Sequence, residues 1–432
     1  MSRHLHLNAV IYGLGSHEAA WRMPESDPLA TTAGLDYWAD IARRAETAGF
    51  DALFLGDVLA LQEGADRHLS DAMDPIVILS ALSTVTTRIG LIGTASTSFD
   101  HPFHLARRFA SLDHISRGRA GWNIVTSSNP LEALNFGLDA MPEHADRYAR
   151  AADVVEAVTK LWDSWEQDAR VPDKSGGRYL DPQKVHAIDH DGPFVRSRGP
   201  LNVPRPPQGR PVLAQAGSSA AGRDFAARHA DIVFTVQSSL DDATMFYREM
   251  KARAATCGRD PEKLLVMPGI VPIAALTRAG AEARLAEMNS YGDPAHLIAK
   301  LSSFLGRDLA RFDLDAPLPP EPDEAGPNQA SQSRVAVLTG IAARGQLTLR
   351  QLLSRLAGGR GHLLAVGTGW EIAEIMEEWA DAGAADGFNV MCPVMPADLQ
   401  SFADLVIPEL VQRGRRKVGT SDGTLRQRYG LV

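Results

Sequence analysis

The chain has 432 residues, and its 44 Lys and Arg against 53 Asp and Glu give a formal net charge of −9, which argues against nucleic acid or an acidic membrane surface as the main partner. Hydrophobic residues make up 44% and charged residues 22%, which is ordinary for a globular protein. The chain has no apolar stretch near the ~20 residues of a membrane span, no signal-peptide core at its start, and only two distant cysteines, so we expect no metal site and a soluble, cytoplasmic protein.

Eight short apolar segments alternate with helical ones along the chain. The predicted strands are Leu5–Ile11, Asp51–Leu55, Arg88–Thr94, Arg119–Val125, Pro211–Ala216, Asp231–Val236, Leu264–Ala274 and Gly387–Cys392. Mostly continuous apolar strands that alternate with helices predict an α/β fold of the TIM (β/α)8 barrel type. A doubly wound α/β sheet is the alternative.

Helical patterns fill the spaces between these strands. The predicted helices are Leu35–Ala48, Pro75–Thr84, Phe103–Ile115, His144–Trp165, Ser219–His229, Leu240–Ala255, Glu371–Ala382 and Asp398–Arg413. A minimal barrel needs ~250 residues. The surplus fits two insertions in a single domain of residues 1–432: Asp168–Arg210, with short strands, and Arg278–Arg360, with helical ends and an exposed loop at APLPPEPDEAGPNQ.

The run from Arg117 to Trp165 reads as a buried strand, a polar loop and a helix. A strand that delivers polar groups to a loop at its C-terminal end is how a barrel builds an active site. His144, Arg147 and Tyr148 are spaced i, i+3 and i+4, so they share one patch at the start of the helix. The helix dipole is positive there, and the patch suits an anionic ligand.

A second polar segment, QAGSSAAG, begins at Gln215, where a strand gives way to a helix. Gly217 lets a ligand approach the backbone, and the free amides of a first helical turn bind phosphate oxygens. A plain N-cap explains Ser218 or Ser219 equally well. The segment alone leaves both readings open.

Further polar residues stand at predicted strand ends. Asp57 is either a functional acceptor or a cap for the next loop, and Thr94 opens a hydroxyl-rich turn that either binds a polar ring or is a simple turn. Asn123 lies inside an apolar strand, where an unpaired amide costs ~1–3 kcal/mol. The edge of a heteroaromatic ring, or a buried water, would pair it.

Other features carry less information. His17, after strand one, and His101, before Pro102, are each more often structural than catalytic. GxGxxG, GxxxxGK[ST] and HExxH are absent, which argues against classical dinucleotide, P-loop and zincin sites. A formal GxSxG at 419–423 lies in a polar tail rather than on a strand–helix turn, so it is discarded.

Taken in order, the segments GFDALFLGD, RIGLIGTASTSFDHPFHLARRFASLDHISRGRAGWNIVTS, HADRYARAADVVEAVTKLWDSW, GRPVLAQAGSSAAG and GTLRQRYGL resemble one known family. They are similar to the flavin-dependent monooxygenases of the bacterial luciferase-like superfamily, in the branch of the nitrilotriacetate, EDTA and dibenzothiophene-sulfone monooxygenases. The resemblance covers most of the chain outside Arg278–Arg360. The sequence differs slightly from the residues usual in the family at SRGR, HPFH and Gly56. These positions bear on contacts with the substrate or the flavin ring.

The resemblance implies a TIM barrel that binds FMN at the C-terminal ends of its strands. Reduced FMN would come from a separate NAD(P)H:flavin reductase. With O2 it would insert one oxygen atom into a small organic substrate through a flavin C4a-peroxide, while the other oxygen atom leaves as water. A homodimer or homotetramer is also implied. Such enzymes oxidise aminopolycarboxylates, sulfur heterocycles, alkanes and other xenobiotics.

The family's functional residues carry over by motif. Asp57, Thr94, His144, Tyr148, Ser218 and Ser219 would contact FMN. Ser218 and Ser219 would hold the phosphate at the Gly217 turn, with Tyr148 and Arg147 assisting. Asn123 would lie near the ring by its strand position, and the Arg278–Arg360 insertion is a candidate lid. The family provides no established acid–base residue that can be placed in this sequence, and His17 is named only as a candidate catalytic residue near the ring.

Two alternatives stay open. One is a flavin-, deazaflavin- or nicotinamide-dependent oxidoreductase of the same superfamily that does not activate oxygen. The other is a flavin-binding protein without turnover. The LWDSW and GTLRQRYGL segments favour the monooxygenase.

Overall fold

Eight parallel strands close into a barrel in a computed structural model that describes residues 4–61, 65, 72–305, 308–318, 340, 342, 347–417 and 423–432. The strands in the described ranges are β1 (His6–Ile11), β2 (Ala52–Leu55), β3 (Gly90–Ser96), β4 (Ala120–Val125), β5 (Arg170–Asp173), β6 (Arg178–Leu180), β7 (His190–Asp191), β8 (Arg196–Ser197), β9 (Val212–Gln215), β10 (Ile232–Thr235), β11 (Leu265–Ala274), β12 (Leu363–Gly367) and β13 (Gly387–Val390). The barrel runs β1-β2-β3-β4-β9-β10-β11-β13 and closes where β13 pairs with β1. The predicted TIM barrel is confirmed.

Helices surround the barrel. Those in the described ranges are α1 (Asp36–Thr47), α2 (Pro75–Leu82), α3 (Pro102–Ser116), α4 (Pro130–Asn135), α5 (His144–Asp163), α6 (Ala220–His229), α7 (Leu240–Thr256), α8 (Arg278–Ser290), α9 (Pro294–Leu305), α10 (Leu349–Gly359), α11 (Gly369–Asp381), α12 (Ala397–Leu405), α13 (Ile407–Gln412) and α14 (Leu425–Arg428). Short 3-10 turns occur at Ala20–Arg22, Pro182–Lys184 and Pro261–Lys263. Proline at the start of α2, α3 and α4 follows a capping side chain, which defines where each helix begins. At α3 that cap is His101, so the structural interpretation of this histidine is confirmed.

Both insertions are where the sequence predicts them. The first holds two small antiparallel hairpins, β5–β6 and β7–β8. The second contributes α8, α9 and α10, and the last two of these pack on a hydrophobic cluster of their own that includes Leu301 and Leu352. Most of its predicted exposed loop lies outside the described residues.

Two predictions about the C-terminal third need correction. A further parallel strand, β12, was missed; it pairs with the second half of β11, which extends beyond the register of its barrel neighbours. The helix predicted for Asp398–Arg413 is two helices, α12 and α13. Pro408 lacks the N–H that a continuous helix needs, so the chain starts again at Ile407.

The interior of the barrel is mostly apolar and is closed at its N-terminal end by the C-terminal segment. Val10, Phe54 and Met267 share one buried cluster with Leu425 and Tyr429. The Tyr429 hydroxyl also donates to Asn8 Oδ1 on β1. The opposite, C-terminal end of the strands is therefore the open end. Among the described helices, none combines the length and the apolar composition required to cross a bilayer.

Candidate active site

A cavity of about 350 Å³ opens at the C-terminal ends of the barrel strands. Its floor and walls come from residues at or just beyond five strands: Tyr12, Asp57, Thr94, Asn123 and Ala216. Loop residues after β1, together with Lys300 and Arg360 of the second insertion, complete its rim. Three of the residues predicted at strand ends, Asp57, Thr94 and Asn123, thus share one cavity with His17.

Asn123 is held in one orientation by its neighbours. Its Nδ2 donates to Thr94 Oγ1 at 2.9 Å, and the Thr94 hydroxyl donates to the Leu55 carbonyl at 2.8 Å. Because the threonine oxygen accepts the amide N–H, the Asn123 Oδ1 must point the other way. This oxygen is buried and has no hydrogen-bond partner among the described residues. The sequence predicts that this amide needs hydrogen-bond partners. Thr94 accepts from its nitrogen, and its oxygen is available to a donor on a ligand.

Asp57 lines the same cavity beyond β2. Burial, reinforced by the nearby carboxylates of Asp74, Glu132 and Asp100, raises the pKa of Asp57 to about 6. The side chain is therefore a weak acid that changes charge near neutral pH. Its assignment as a cofactor contact stays a prediction.

His17 is buried in the cavity wall and both ring nitrogens are engaged. Nδ1 accepts from the Ala19 N–H at 3.1 Å, so Nε2 carries the proton and donates to Asn289 Oδ1 at 3.2 Å. Burial is the main cause that lowers the pKa of His17 below its usual range. The ring is neutral and anchors the loop after β1 to α8, and a catalytic role for it stays a prediction.

A second group of residues gathers beside Ala216, and we term His144, Tyr148, Gly217, Ser219 and Gly222 the Gly217 cluster. The helix α5 begins at His144 as predicted, which brings His144 Nε2 to 3.3 Å from Ser219 Oγ. A Cβ atom on Gly217 would lie 2.5 Å from the Tyr148 hydroxyl, and one on Gly222 would lie 2.8 Å from it. Only glycine leaves room for this tyrosine, so the two predicted motifs meet in space.

Ser218 and Ser219, in the turn between β9 and α6, make different contacts. Ser219 is the N-cap of α6, and its Oγ accepts from the Gly222 N–H at 3.1 Å. Ser218 places its Oγ 3.5 Å from Thr235 Oγ1, and its carbonyl accepts from Arg223 Nε at 2.9 Å. The capping interpretation is thus confirmed for Ser219. The amides of Ala220 and Ala221 lie in the first turn, where a helix offers no carbonyl of its own to pair them.

Arg147 makes a hydrogen bond to the loop after β4. Its side chain is buried, and Nη1 donates to the carbonyl of Ser127, a non-glycine residue with φ of +48°. Nε has no hydrogen-bond partner among the described residues. Arg147 therefore supports the loop after β4, and its assistance to a phosphate stays a prediction.

Sequence reasoning missed the charged rim of the cavity. Glu18, Lys300 and Arg360 meet there, with Lys300 Nζ 2.5 Å and Arg360 Nη2 3.2 Å from Glu18 Oε1. These cations hold the pKa of Glu18 at about 2 despite its burial. Lys300 and Arg360 belong to an insertion without a recognisable motif, so no sequence signal linked them to the barrel.

Residues 17–386 match the family described as luciferase-like monooxygenase. The chain belongs to this family. It is 44% identical to N-acetyl-S-(2-succino)cysteine monooxygenase of Bacillus subtilis, over 99% of this chain and 97% of that protein. It is also 44% identical to nitrilotriacetate monooxygenase component A of Aminobacter aminovorans, over 97% of this chain and 94% of that protein. A solved structure of a riboflavin lyase with modified FMN and riboflavin is 34% identical, with a TM-score of 0.88 and coverage of 99% and 96%.

As a member of the luciferase-like monooxygenase family, this chain is an enzyme, a flavin-dependent monooxygenase. Its own residues fit a flavin nucleotide at two separate points. The buried Asn123 Oδ1 has no partner among the described residues and suits an N–H donor of the kind that a flavin ring edge presents. The first turn of α6, which begins after Ser219, has backbone amides without intrahelical partners, the groups that bind phosphate at a helix start.

Proposed function

We propose that this chain is the oxygenase component of a two-component system. It takes reduced FMN from a separate NAD(P)H:flavin reductase and uses O2 to insert one oxygen atom into a small organic substrate. The single observation that carries the proposal is the buried Asn123 Oδ1 on the cavity floor, without a partner among the described residues. The nitrilotriacetate relative is named as component A of its monooxygenase, which supports an oxygenase that works with a separate reductase.

The Gly217 cluster would hold the phosphate end of FMN. Ser219 and the first-turn amides of α6 supply N–H and O–H donors, and the helix dipole adds a partial positive charge. His144 adds a ring nitrogen 3.3 Å from Ser219 Oγ. Its pKa is lowered, chiefly by burial and then by Arg147, so the neutral imidazole donates a hydrogen bond rather than a full charge.

Asn123 and Thr94 would orient the ring end. Thr94 fixes the amide, and the amide oxygen accepts from the ring. When bound, reduced FMN supplies the activation of O2. The protein positions the ring, separates it from solvent and brings the substrate to it. Asp57 and His17 are two of the titratable groups that line the cavity, and either could hold or move a proton.

The second insertion would restrict the entry of water. Lys300 and Arg360 bind Glu18 of the loop after β1, so the insertion is tied to the barrel mouth by ion pairs. A closed mouth keeps water from the reacting flavin and favours transfer to substrate over release of hydrogen peroxide.

The deciding experiment is an anaerobic titration of the enzyme with reduced FMN, followed by oxygen uptake and product analysis across a substrate panel with an added flavin reductase. We expect micromolar or tighter binding of reduced FMN and oxygenated product. Oxidation of the flavin with no oxygen in any product would favour the oxidoreductase alternative. Binding of FMN without any oxygen reaction would favour a non-catalytic flavin protein.

The proposal extends to a cytoplasmic homodimer or homotetramer. Cys257 and Cys392 are both free thiols, as expected in a reducing compartment. Light scattering of the purified enzyme tests the assembly, and cell fractionation tests the location.

A further inference from the structure

Two histidines stand on the same side of the chain where the barrel begins. Leu5 is fully buried, whereas His4 is exposed and His6 is partly buried, which is the alternation of an extended strand. The two imidazole rings therefore lie on one face, with their centroids 5.4 Å apart in an edge-to-face arrangement. They stand at the start of β1, at the end of the barrel opposite the cavity.

A carboxylate completes this group. Asp51 directly precedes β2, which pairs with β1 in parallel, and its Oδ2 lies 3.8 Å from His6 Nδ1. One ring nitrogen of each histidine and one carboxylate oxygen of Asp51 all lie within 4.8 Å of one another. Around a tetrahedral zinc ion, ligand atoms bound at about 2.1 Å stand about 3.4 Å apart. Since His6 and Asp51 are already near that separation, most of the closure falls to rotation of the exposed His4 ring.

The kinds of atom in this group favour one class of metal. Imidazole nitrogens suit zinc, copper and nickel, whereas Mg²⁺ and Ca²⁺ prefer oxygen ligands. Two nitrogens and one carboxylate oxygen leave a fourth position for water. Within the described ranges, no other set of three His, Cys, Asp or Glu side chains brings its coordinating atoms this close. The expectation of no metal site rested on the distant cysteines, and neither of them belongs to this group.

Arg416 holds the carboxylate in place and limits the affinity for a cation. Its Nη1 donates to Asp51 Oδ2 at 2.7 Å, and the Leu7 N–H donates to the same oxygen at 2.7 Å. A carboxylate has about four lone-pair sites, so two hydrogen bonds orient it and leave room for a metal. Although burial opposes it, the charge of Arg416 lowers the pKa of Asp51 to about 2, so this ligand is ionised at neutral pH. The same positive charge repels a metal ion, and we therefore expect micromolar binding.

We propose that His4, His6 and Asp51 bind a divalent metal ion of the zinc class at the closed end of the barrel. The ion would tie the start of β1 to the start of β2. The His6 ring also packs edge-to-face on Tyr429, with 5.1 Å between the centroids, so the ion would support the segment that seals this end. Because active sites of such barrels lie at the opposite end, the metal would stabilise the fold and take no part in the flavin chemistry.

The test is a calorimetric titration of Zn²⁺ into the full chain, without an affinity tag, after treatment with a chelator. We expect one saturable site with a Kd of about 10 µM, and a rise in Tm of about 2 °C at ten times that concentration. His4→Asn and His6→Asn should each weaken binding by about 10-fold or more, and Mg²⁺ should not compete. His186→Asn is the matched control, because His186 Nε2 also lies near a carboxylate, 2.9 Å from Glu166 Oε1, but has no third such ligand beside it in the described structure.

Three results would overturn the proposal: no saturable zinc binding tighter than about 100 µM, full binding in both histidine variants, or an equal loss in His186→Asn. Binding that survives in both variants would be adventitious attachment to the surface. His4 is exposed, so His4→Asn should fold even if His6→Asn does not, and an unchanged zinc affinity in His4→Asn alone would also contradict the site. Affinity for reduced FMN should be the same with and without zinc, and a failure to bind FMN would count against the proposed function and not against this site.

Discussion

The hydroxyl of Tyr148 lies where a side chain on Gly217 would have to stand, 2.5 Å from the position of its Cβ atom. The two residues come from different helix starts, 69 positions apart in the sequence. Gly222 fits against the same hydroxyl with a corresponding distance of 2.8 Å. One tyrosine therefore requires both glycines, and all three define the turn that we assign to the flavin phosphate.

Gly217→Ala should weaken binding of reduced FMN by about 10-fold or more, equivalent to ~1.4 kcal/mol. The new methyl group displaces the Tyr148 hydroxyl and the Gln215 side-chain amide, which would lie 2.3 Å from it, and so reshapes the turn. Anaerobic titration measures the change. Gly280→Ala is the control, since a Cβ there meets nothing closer than 3.2 Å. Wild-type affinity in Gly217→Ala would remove the turn from the flavin site.

Aspartate substitutions should separate capping from phosphate binding. Ser219→Asp keeps an N-cap acceptor for the Gly222 N–H, so the free energy of unfolding should stay within ~0.5 kcal/mol of wild type. Ser219→Ala should lose ~1 kcal/mol because the cap is gone. Ser219→Asp and Ser218→Asp should nevertheless both bind reduced FMN far more weakly, because a carboxylate repels the phosphate. Chemical denaturation gives the free energy of unfolding, and flavin titration of the same samples gives the affinity for reduced FMN. Normal FMN binding by Ser218→Asp would argue against a phosphate site at this turn.

Thr94→Val should disturb flavin binding through Asn123. The valine can neither accept from Asn123 Nδ2 nor donate to the Leu55 carbonyl, which leaves buried groups unpaired at a cost of ~1–3 kcal/mol in stability. The freed amide also loses its fixed orientation, so we expect reduced-FMN affinity to fall by about 5- to 10-fold. Thr97→Val, which removes one hydrogen bond to the Val125 carbonyl near the end of the same strand, is the control for a purely structural effect. Equal flavin affinities in the two variants would count against Asn123 as a ring contact.

Asp57→Asn should stabilise the protein at pH 8 more than at pH 4. The pKa of Asp57 is raised to about 6, so between the unfolded value near 3.8 and 6 the folded protein holds the proton more firmly than the unfolded chain. The free energy of unfolding therefore rises as the pH falls through this window. Above pH 6 the buried negative charge lowers it, and the neutral amide of asparagine removes that cost. Thermal unfolding at both pH values measures the difference. A benefit that is equal at the two pH values would mean that Asp57 is ionised without cost.

Local patterns were sufficient to predict the barrel and several local features around its cavity. Continuous apolar strands, the helix that begins at His144 and the Gly217 turn all express short-range rules, and the structure has them where the patterns place them. The need of Asn123 for a partner was also visible, because a polar amide in an apolar strand is an anomaly within a few residues.

The features that the sequence did not predict depend mostly on contacts between residues that are far apart along the chain. Arg360 reaches Glu18 over 342 positions, and nothing near either residue indicates the other. The strand β12 was missed because a five-residue apolar run suits a helix end or a strand equally, and only its pairing with β11 decides between them. The hydrogen bond from Arg147 Nη1 to the Ser127 carbonyl was also not predicted, because spacing defines a face of a helix and not a rotamer.

The closure of the barrel floor by Leu425 and Tyr429 affects how the molecule is made. Tyr429 pairs with Asn8, so two segments that are far apart in the sequence must come together before the interior is sealed. During synthesis on the ribosome, β1 emerges more than 400 residues before Tyr429, so the strands of the barrel are made before the residue that seals their N-terminal end. The lumen of the barrel is therefore sealed only after the segment that carries Tyr429 has been synthesised.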